Sequence, residues 1–204
     1  MNRLKSLLPD ANGIKQAAKN CVHGYRLAAP IAIIGLTLIL TARAQNSATQ
    51  SFSLAPASDT IAACLPNAAA RVTVFSKEGI RGVDTLDLKA EGLPPNTTFA
   101  VFLTELPVAP FGAVQYIGDF TTNAAGRGSV RVDAIIEEAF SSVVVGGVRV
   151  RKELNHVVFW FADPAADDSC FAPGTGPITP FDGDGQAGAA AMSSRNFLPG
   201  APLP

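Results

Sequence analysis

Five aspartates near the C-terminus are the side chains of this sequence with the clearest capacity for chemistry. They lie within 22 residues and flank a cysteine: Asp163, Asp167, Asp168, Asp182 and Asp184. Hard cations such as calcium bind six to eight oxygen atoms, often carboxylates and carbonyls on flexible loops. The spacing allows a calcium site that pools "DPAADD" with "DGDG", and no other cofactor is indicated. We favour the alternative, a pair of solvated acidic turns, because Asp and Gly are common in exposed loops.

The stretch "TPFDGDGQAG" begins like an EF-hand calcium loop, since Asp182 and Asp184 occupy its first two acidic positions. The rest of the loop does not fit. Gln186 stands at the fifth position and Ala187 at the sixth, where the loop needs glycine. Ser193 stands at the twelfth, where the loop needs glutamate. An EF-hand is therefore excluded.

Histidine chemistry depends on His156, because the other histidine, His23, lies in the N-terminal leader of residues 1–44. Structural zinc needs four ligands, drawn mostly from Cys and His, and the remaining chain has too few. A secreted hydrolase stays open as an alternative, with His156 as the base or the C-terminal aspartates as acid and base. No G-x-S-x-G nucleophile turn occurs. We favour His156 as a strand-edge residue hydrogen-bonded to a neighbour, and no catalytic residue is assigned.

Residues 1–44 have the features of a secretory signal peptide. A basic leader precedes the apolar run of 16 residues from Leu27 to Ala42, and "ARA" precedes Gln45. A spanning helix needs about 20 apolar residues, so the run is short for one. We predict cleavage after Ala44, a secreted or extracytoplasmic protein, and no membrane insertion after cleavage. An uncleaved anchor is the alternative.

The remaining chain is acidic. Residues 1–44 hold six of the 16 Lys and Arg and one of the 17 Asp and Glu, which leaves a net charge of about −6 after cleavage. Binding to nucleic acid needs clustered Lys and Arg to neutralise phosphates. No such cluster is present in the sequence, so a nucleic-acid partner is not expected.

Two cysteines remain after the leader, Cys64 and Cys170. In an exported protein, two cysteines are most simply explained by one disulfide. Cys64 precedes the first strand-like segment and Cys170 follows the last, so a bond between them would join the two ends of the domain. Two free buried thiols are the alternative.

Between residues 69 and 163 the sequence alternates short strand patterns with Gly, Pro and Asn-rich turns. Residues 84–93 and 128–134 show the period of two that is typical of half-buried strands, whereas 71–75, 97–103 and 155–162 are apolar on both faces. Residues 113–122 and 141–150 add two candidates, the second interrupted by Gly146-Gly147. We predict an all-β fold, a single antiparallel β-sandwich of about six to eight strands. The predicted domains are a signal peptide (1–44), a linker or loose arm (45–63), the sandwich (64–171) and an irregular Gly/Pro/Ala-rich C-terminal flap (172–204).

The run "DLKAEGLPPNTTFAVFLTEL" followed by "GDFTTNAAGRGSVRV" resembles the strand and turn pattern of extracytoplasmic bacterial immunoglobulin-like sandwiches, including the C-terminal domains of some anti-sigma factors. The resemblance covers about 50 residues and implies an immunoglobulin-like sandwich. It carries no catalytic or binding residue onto this chain.

These observations favour a secreted or cell-envelope module that binds a protein or glycan partner or has a structural role. Loops such as "TELPVAPFGA" are where β-sandwiches present contact surface. The hydrolase and a calcium-stabilised adhesion module are the alternatives.

Mass spectrometry of the exported protein tests the leader and the disulfide together. The chain should begin at Gln45 and lack two protons relative to the dithiol form. An intact leader would contradict the predicted cleavage, and a free thiol at Cys64 would contradict the bond.

Overall fold

The computed structural model describes residues 49–76, 83–181 and 185–204. The predicted signal peptide and its cleavage site lie outside these residues, as do Asp182 and Asp184. The elements in chain order are β1 (Thr49–Pro56), α1 (Asp59–Cys64), β2 (Ala69–Phe75), β3 (Asp84–Glu91), β4 (Thr98–Thr104), β5 (Val114–Thr121), β6 (Gly128–Ala134), β7 (Phe140–Val145), β8 (Val148–Glu153), β9 (His156–Phe161), a 3₁₀ helix (Pro164–Ser169), β10 (Thr179–Phe181), β11 (Gly185–Ala187), β12 (Ala190–Ser193) and a second 3₁₀ helix (Arg195–Phe197).

Eight of the described strands form one antiparallel sheet in the order β5-β4-β9-β12-β1-β2-β3-β6. β1 joins its two halves, because residues Thr49 to Leu54 pair with β2 whereas Ala55 and Pro56 pair with β12. The outermost strands approach each other, since a Cβ atom on Gly128 of β6 would lie 2.6 Å from the ring of Phe120 in β5. The predicted all-β antiparallel fold is confirmed.

The main core lies between the two halves of this sheet and follows the period of two. In β2 and β3 the inward residues Val72, Val74, Leu86 and Leu88 are fully buried. The intervening residues are polar or charged, such as the cross-strand neighbours Arg71 and Lys89. The alternation thus places one face of these strands in the core and the other in water.

Both ends of the chain differ from the sequence-based prediction. Residues 45–63 were expected to form a loose arm, but the described part of that range contains β1 and α1. Residues 172–204 were expected to form an irregular flap, yet β12 lies inside the large sheet between β9 and β1. The sandwich therefore extends beyond the predicted range 64–171. β12 needs no long apolar run to enter the sheet, because Ala191 and Met192 both pack into the main core.

The predicted disulfide is present between Cys64 and Cys170, with a Cα–Cα distance of 5.4 Å. Ser58 caps α1 by accepting a hydrogen bond from the Ile61 amide, and the helix ends at Cys64. Ile61 is fully buried and fixes this helix on the core. The bond fits a chain that folds in an oxidising compartment.

No helix in the described ranges is long and apolar enough to cross a membrane.

β7 and β8 form a separate hairpin, which in the described part of the chain makes its ladder only within itself. Gly146 and Gly147 form its two-residue turn with φ values of 58° and 83°. Both φ values are positive, as a type I′ hairpin turn requires. At the base of the hairpin, the Leu154 amide donates a hydrogen bond to the Ala139 carbonyl.

Truncating Met192 tests whether the C-terminal segment belongs to the core. Met192 is fully buried, so Met192→Ala should lower the free energy of unfolding by about 2–5 kcal/mol. Ile178→Ala is the matched control in the same segment, because Ile178 is 59% exposed and its truncation should change stability by less than about 0.5 kcal/mol. Urea unfolding measures both, and equal small effects would contradict a core role for β12.

Candidate functional site

The described aspartates of the predicted calcium site each accept a hydrogen bond from a different backbone amide. Asp163 accepts from Ala165 and caps the first 3₁₀ helix. Asp168 accepts from Gly174 at 2.8 Å. Among the residues that the structure describes, no three His, Cys, Asp or Glu side chains are grouped so that they could hold a metal ion. The contacts of these carboxylates are those of turns and caps.

Asp167 differs from its neighbours because it is almost completely buried. Its Oδ2 accepts a hydrogen bond from the Ala189 amide at 2.7 Å, whereas its Oδ1 has no hydrogen-bond partner in the described ranges. Burial raises the pKa of Asp167, and the nearby charges of Asp168 and Asp163 add to this, whereas the bond from Ala189 opposes it. A Cβ atom on Gly188 would lie 2.7 Å from Oδ2, so glycine is needed there. Asp167 thus fastens the segment that leads into β12.

His156, the candidate base, lies next to a serine that the sequence analysis did not single out. Its Nδ1 is 2.9 Å from the Oγ of Ser194, which also accepts a hydrogen bond from the Val157 amide. Both side chains are buried, and burial lowers the pKa of His156, which favours the neutral ring. The pair joins β9 to the segment after β12, and its burial supports a structural role.

A second apolar cluster lies on the outer face of β4 and β9, opposite the main core. Phe99 and Phe159 point into the main core, while Phe102 and Trp160 point to the other side. The Phe102 and Trp160 rings meet edge to face with centroids 5.1 Å apart. Trp160 therefore lies on the face of β9 opposite the main core.

A cavity of about 370 Å³ adjoins this outer cluster. Phe102 and Trp160 line it from the sheet. A second wall is the loop from Pro110 to Gly112, whose Phe111 ring lies 4.7 Å from that of Trp160. Its other lining residues are Val114 of β5, Thr179 and Pro180 of β10, and Ala187 of β11. We call this cavity the Trp160 pocket. Its size lies within the ~300–1,000 Å³ that is usual for small-molecule sites.

The loop wall of the pocket is held in place by Glu105. The Glu105 carboxylate accepts a hydrogen bond from the Ala113 amide at 3.1 Å and forms a 2.6 Å ion pair with Lys152 of β8. Both contacts lower the pKa of Glu105, with the bond from Lys152 contributing most. The Leu106 amide also donates to the Phe111 carbonyl. This loop belongs to the "TELPVAPFGA" segment that the sequence indicated as contact surface, and its backbone is fixed before any ligand binds.

The opposite wall is held through Asp167. β10 and β11 pair antiparallel, with Thr179 opposite Ala187 and Phe181 opposite Gly185. Ala187 is buried in the outer cluster. The next residue, Gly188, donates its amide hydrogen to the Phe161 carbonyl. The Ala189 amide that follows is the one that donates to Asp167. One of the predicted acids therefore supports the pocket without entering it.

The indole N–H of Trp160 is the unusual polar group of this region. Trp160 is only 2% exposed, and its Nε1 has no hydrogen-bond partner in the residues described. A buried Trp usually has a partner for this group, and an unpaired buried donor costs about 1–3 kcal/mol. Trp160 thus lines the pocket and also has a buried indole donor whose hydrogen bond is not made within the described residues.

A wider groove of about 800 Å³ lies near Arg71, Lys89 and Arg127. Two of these cations already have partners, since Arg127 pairs with Glu91 at 3.5 Å and Arg71 donates to the Ser51 hydroxyl. The groove contains no aromatic side chain. We therefore regard the Trp160 pocket as the candidate site.

Sequence reasoning did not find this pocket, although a signal for it exists. Phe102 and Trp160 stand at the alternate positions of two strands that are apolar on both faces. A second buried face requires a second layer to cover it, and the loop from Pro110 to Gly112 with β10 and β11 supplies that layer.

Comparisons of this chain with protein-family models, with curated proteins and with solved structures find no match. The resemblance to immunoglobulin-like domains thus stays a prediction, and the functional argument rests on the pocket.

Asp167→Asn tests the raised pKa. A carboxyl whose folded pKa lies above its unfolded value of about 3.9 favours folding at low pH and loses that contribution as pH rises through the folded pKa. The wild-type free energy of unfolding should therefore fall with rising pH in this range, relative to the variant. Urea unfolding at a series of pH values measures the difference, and Asp59→Asn, at an exposed carboxyl in α1, is the control. A difference that does not change with pH would refute the shift.

Proposed function

We propose that this chain is an extracytoplasmic binding module and that its ligand occupies the Trp160 pocket. The observation that carries the proposal is an aromatic cavity of about 370 Å³ lined by Trp160, whose buried indole N–H has no hydrogen-bond partner among the described residues. The predicted signal peptide supplies the route of export, and the disulfide supports folding in an oxidising compartment.

The pocket favours an apolar or aromatic group that carries a hydrogen-bond acceptor. Its side chains come from Phe, Trp, Pro, Val and Ala, and Thr179 is the one hydroxyl among the lining residues. That hydroxyl is directed to the Gly188 carbonyl at 3.3 Å. An occupant with an acceptor, such as an amide carbonyl, would give the Trp160 N–H its partner. An aromatic or proline side chain of a protein partner has this chemistry.

A glycan fits the pocket less well, although the sequence leaves a glycan partner open. Sugars are bound by exposed aromatic faces together with many polar groups, since every hydroxyl needs a hydrogen bond. Trp160 is 2% exposed and Phe102 is 3% exposed, and each meets its aromatic neighbours edge to face. Neither offers an open ring face for stacking.

The pocket also favours binding over catalysis. Among the described residues, those that line it carry no carboxylate, histidine or cysteine. His156 and Ser194, the pair closest to hydrolytic chemistry, are buried elsewhere on β9 and after β12.

Because Trp160 is the only tryptophan in the sequence, its indole N–H gives a single resonance in a ¹H–¹⁵N spectrum. We expect N-acetyl-phenylalaninamide or N-acetyl-prolinamide to shift this resonance with a dissociation constant of about 1 mM, as suits small fragments. Phe111→Ala should weaken binding at least tenfold, because it removes one wall. Ile178→Ala lies outside the pocket and should have no effect.

Two results would contradict the proposal. The first is an indole resonance that neither amide moves at saturating concentration. The second is a shift caused equally by methyl glucoside, which would indicate a polar site and a glycan ligand.

A further inference from the structure

The β7–β8 hairpin has exposed apolar side chains, although the Arg151 guanidinium lies 3.9 Å from the centroid of the Phe140 ring. Phe140 is 50% exposed, Val144 is 63% exposed and Val148 is 65% exposed. In the described ranges neither strand of the hairpin pairs with the large sheet. Among the described strands, the hairpin therefore has two edges without a neighbouring strand.

The two edges differ in charge. β8 carries Arg149, Arg151 and Lys152. Charged residues, Lys above all, protect an edge strand against pairing with another strand. β7 reads Phe-Ser-Ser-Val-Val-Val and contains no charge, no proline and no bulge. β7 is thus an unprotected edge, and this contrast within one hairpin selects it as the contact strand.

The turn determines which groups of β7 face outward. Val145 and Val148 close the two-residue turn, so they exchange hydrogen bonds, and the ladder then alternates along the hairpin. The amides of Phe140, Ser142 and Val144 consequently point away from β8. They form a row of donors whose spacing matches the acceptors of a further strand.

We propose that this edge pairs with the same edge of a second copy of the chain, antiparallel and with Ser142 opposite Ser142. In this register Phe140 of each copy lies opposite Val144 of the other copy, so the pair occurs twice in the dimer. An aromatic residue opposite a β-branched one is a favourable cross-strand pair. Since β7 has no charge, no repulsion arises at the two-fold axis. The equivalent pairing through β8 would place the Arg151 side chains of two copies opposite each other, although each also pairs with Glu153 of its own strand. The contact is independent of the Trp160 pocket.

Cross-linking tests the register directly. In a hydrogen-bonded antiparallel pair the opposed Cα atoms lie about 5.5 Å apart, within the range of about 4.4–6.8 Å that a disulfide spans. Mild oxidation of Ser142→Cys protein recovered from the extracytoplasmic fraction should therefore give a covalent dimer. Val144→Cys is the matched control on the same strand. In this register the substituted residues at position 144 of the two copies would lie about 13 Å apart along the ladder, too far to form a disulfide.

Sedimentation velocity over a wide concentration range tests association without a cross-link. We expect Ser142→Pro, which removes an outward amide, to raise the dimer dissociation constant at least tenfold. Arg149→Pro, at an outward position on β8, should leave it unchanged. The near-ultraviolet circular dichroism spectrum checks that each variant is folded.

The proposal is overturned if the wild-type chain stays monomeric at all concentrations, which would leave β7 to a different partner. It is also overturned if a dimer forms but Ser142→Cys does not link, because the interface would then lie elsewhere.

Discussion

The structure depends on the packing of β9 on both of its faces. All six residues from His156 to Phe161 are buried. Along its edges β9 pairs with β4 on one side and β12 on the other. Its inward residues complete the main core, while Trp160 forms the outer cluster with Phe102. A strand that is apolar on both faces must be covered twice, and the second cover creates the pocket.

This constraint explains why the C-terminal segment cannot remain a loose flap. The chain after the disulfide first covers the outer face of β9 with β10 and β11 and then enters the sheet as β12. The buried Asp167 holds the link between these two parts through the Ala189 amide. Its ionised form is disfavoured at that position, so the link combines a necessary hydrogen bond with an electrostatic cost.

Local pattern predicted the strands with period two and the interruption at Gly146-Gly147, and the two cysteines that remain after the leader predicted the disulfide. Sequence reasoning failed where a segment acquires its role from the rest of the fold. Ala190 and Ala191 have weak strand preference, and they become strand residues because β9 and β1 leave a gap between them. Trp160 could not be placed either, because a strand that is apolar on both faces does not indicate which face meets the main core. The acidic spacing around Cys170 allowed a metal site beside the favoured acidic turns, and the described carboxylates bind backbone amides.

The Trp160 pocket and the β7–β8 hairpin differ in how far their apolar side chains are covered. In the pocket, aromatic side chains are buried by walls that Glu105 and Asp167 hold in place. Binding there would cost little conformational entropy of the protein, because the walls are already ordered. In the hairpin, Phe140 and Val144 remain exposed beside unpaired backbone groups. The ion pair between Lys152 and Glu105 connects the two, since it joins β8 to the loop wall of the pocket.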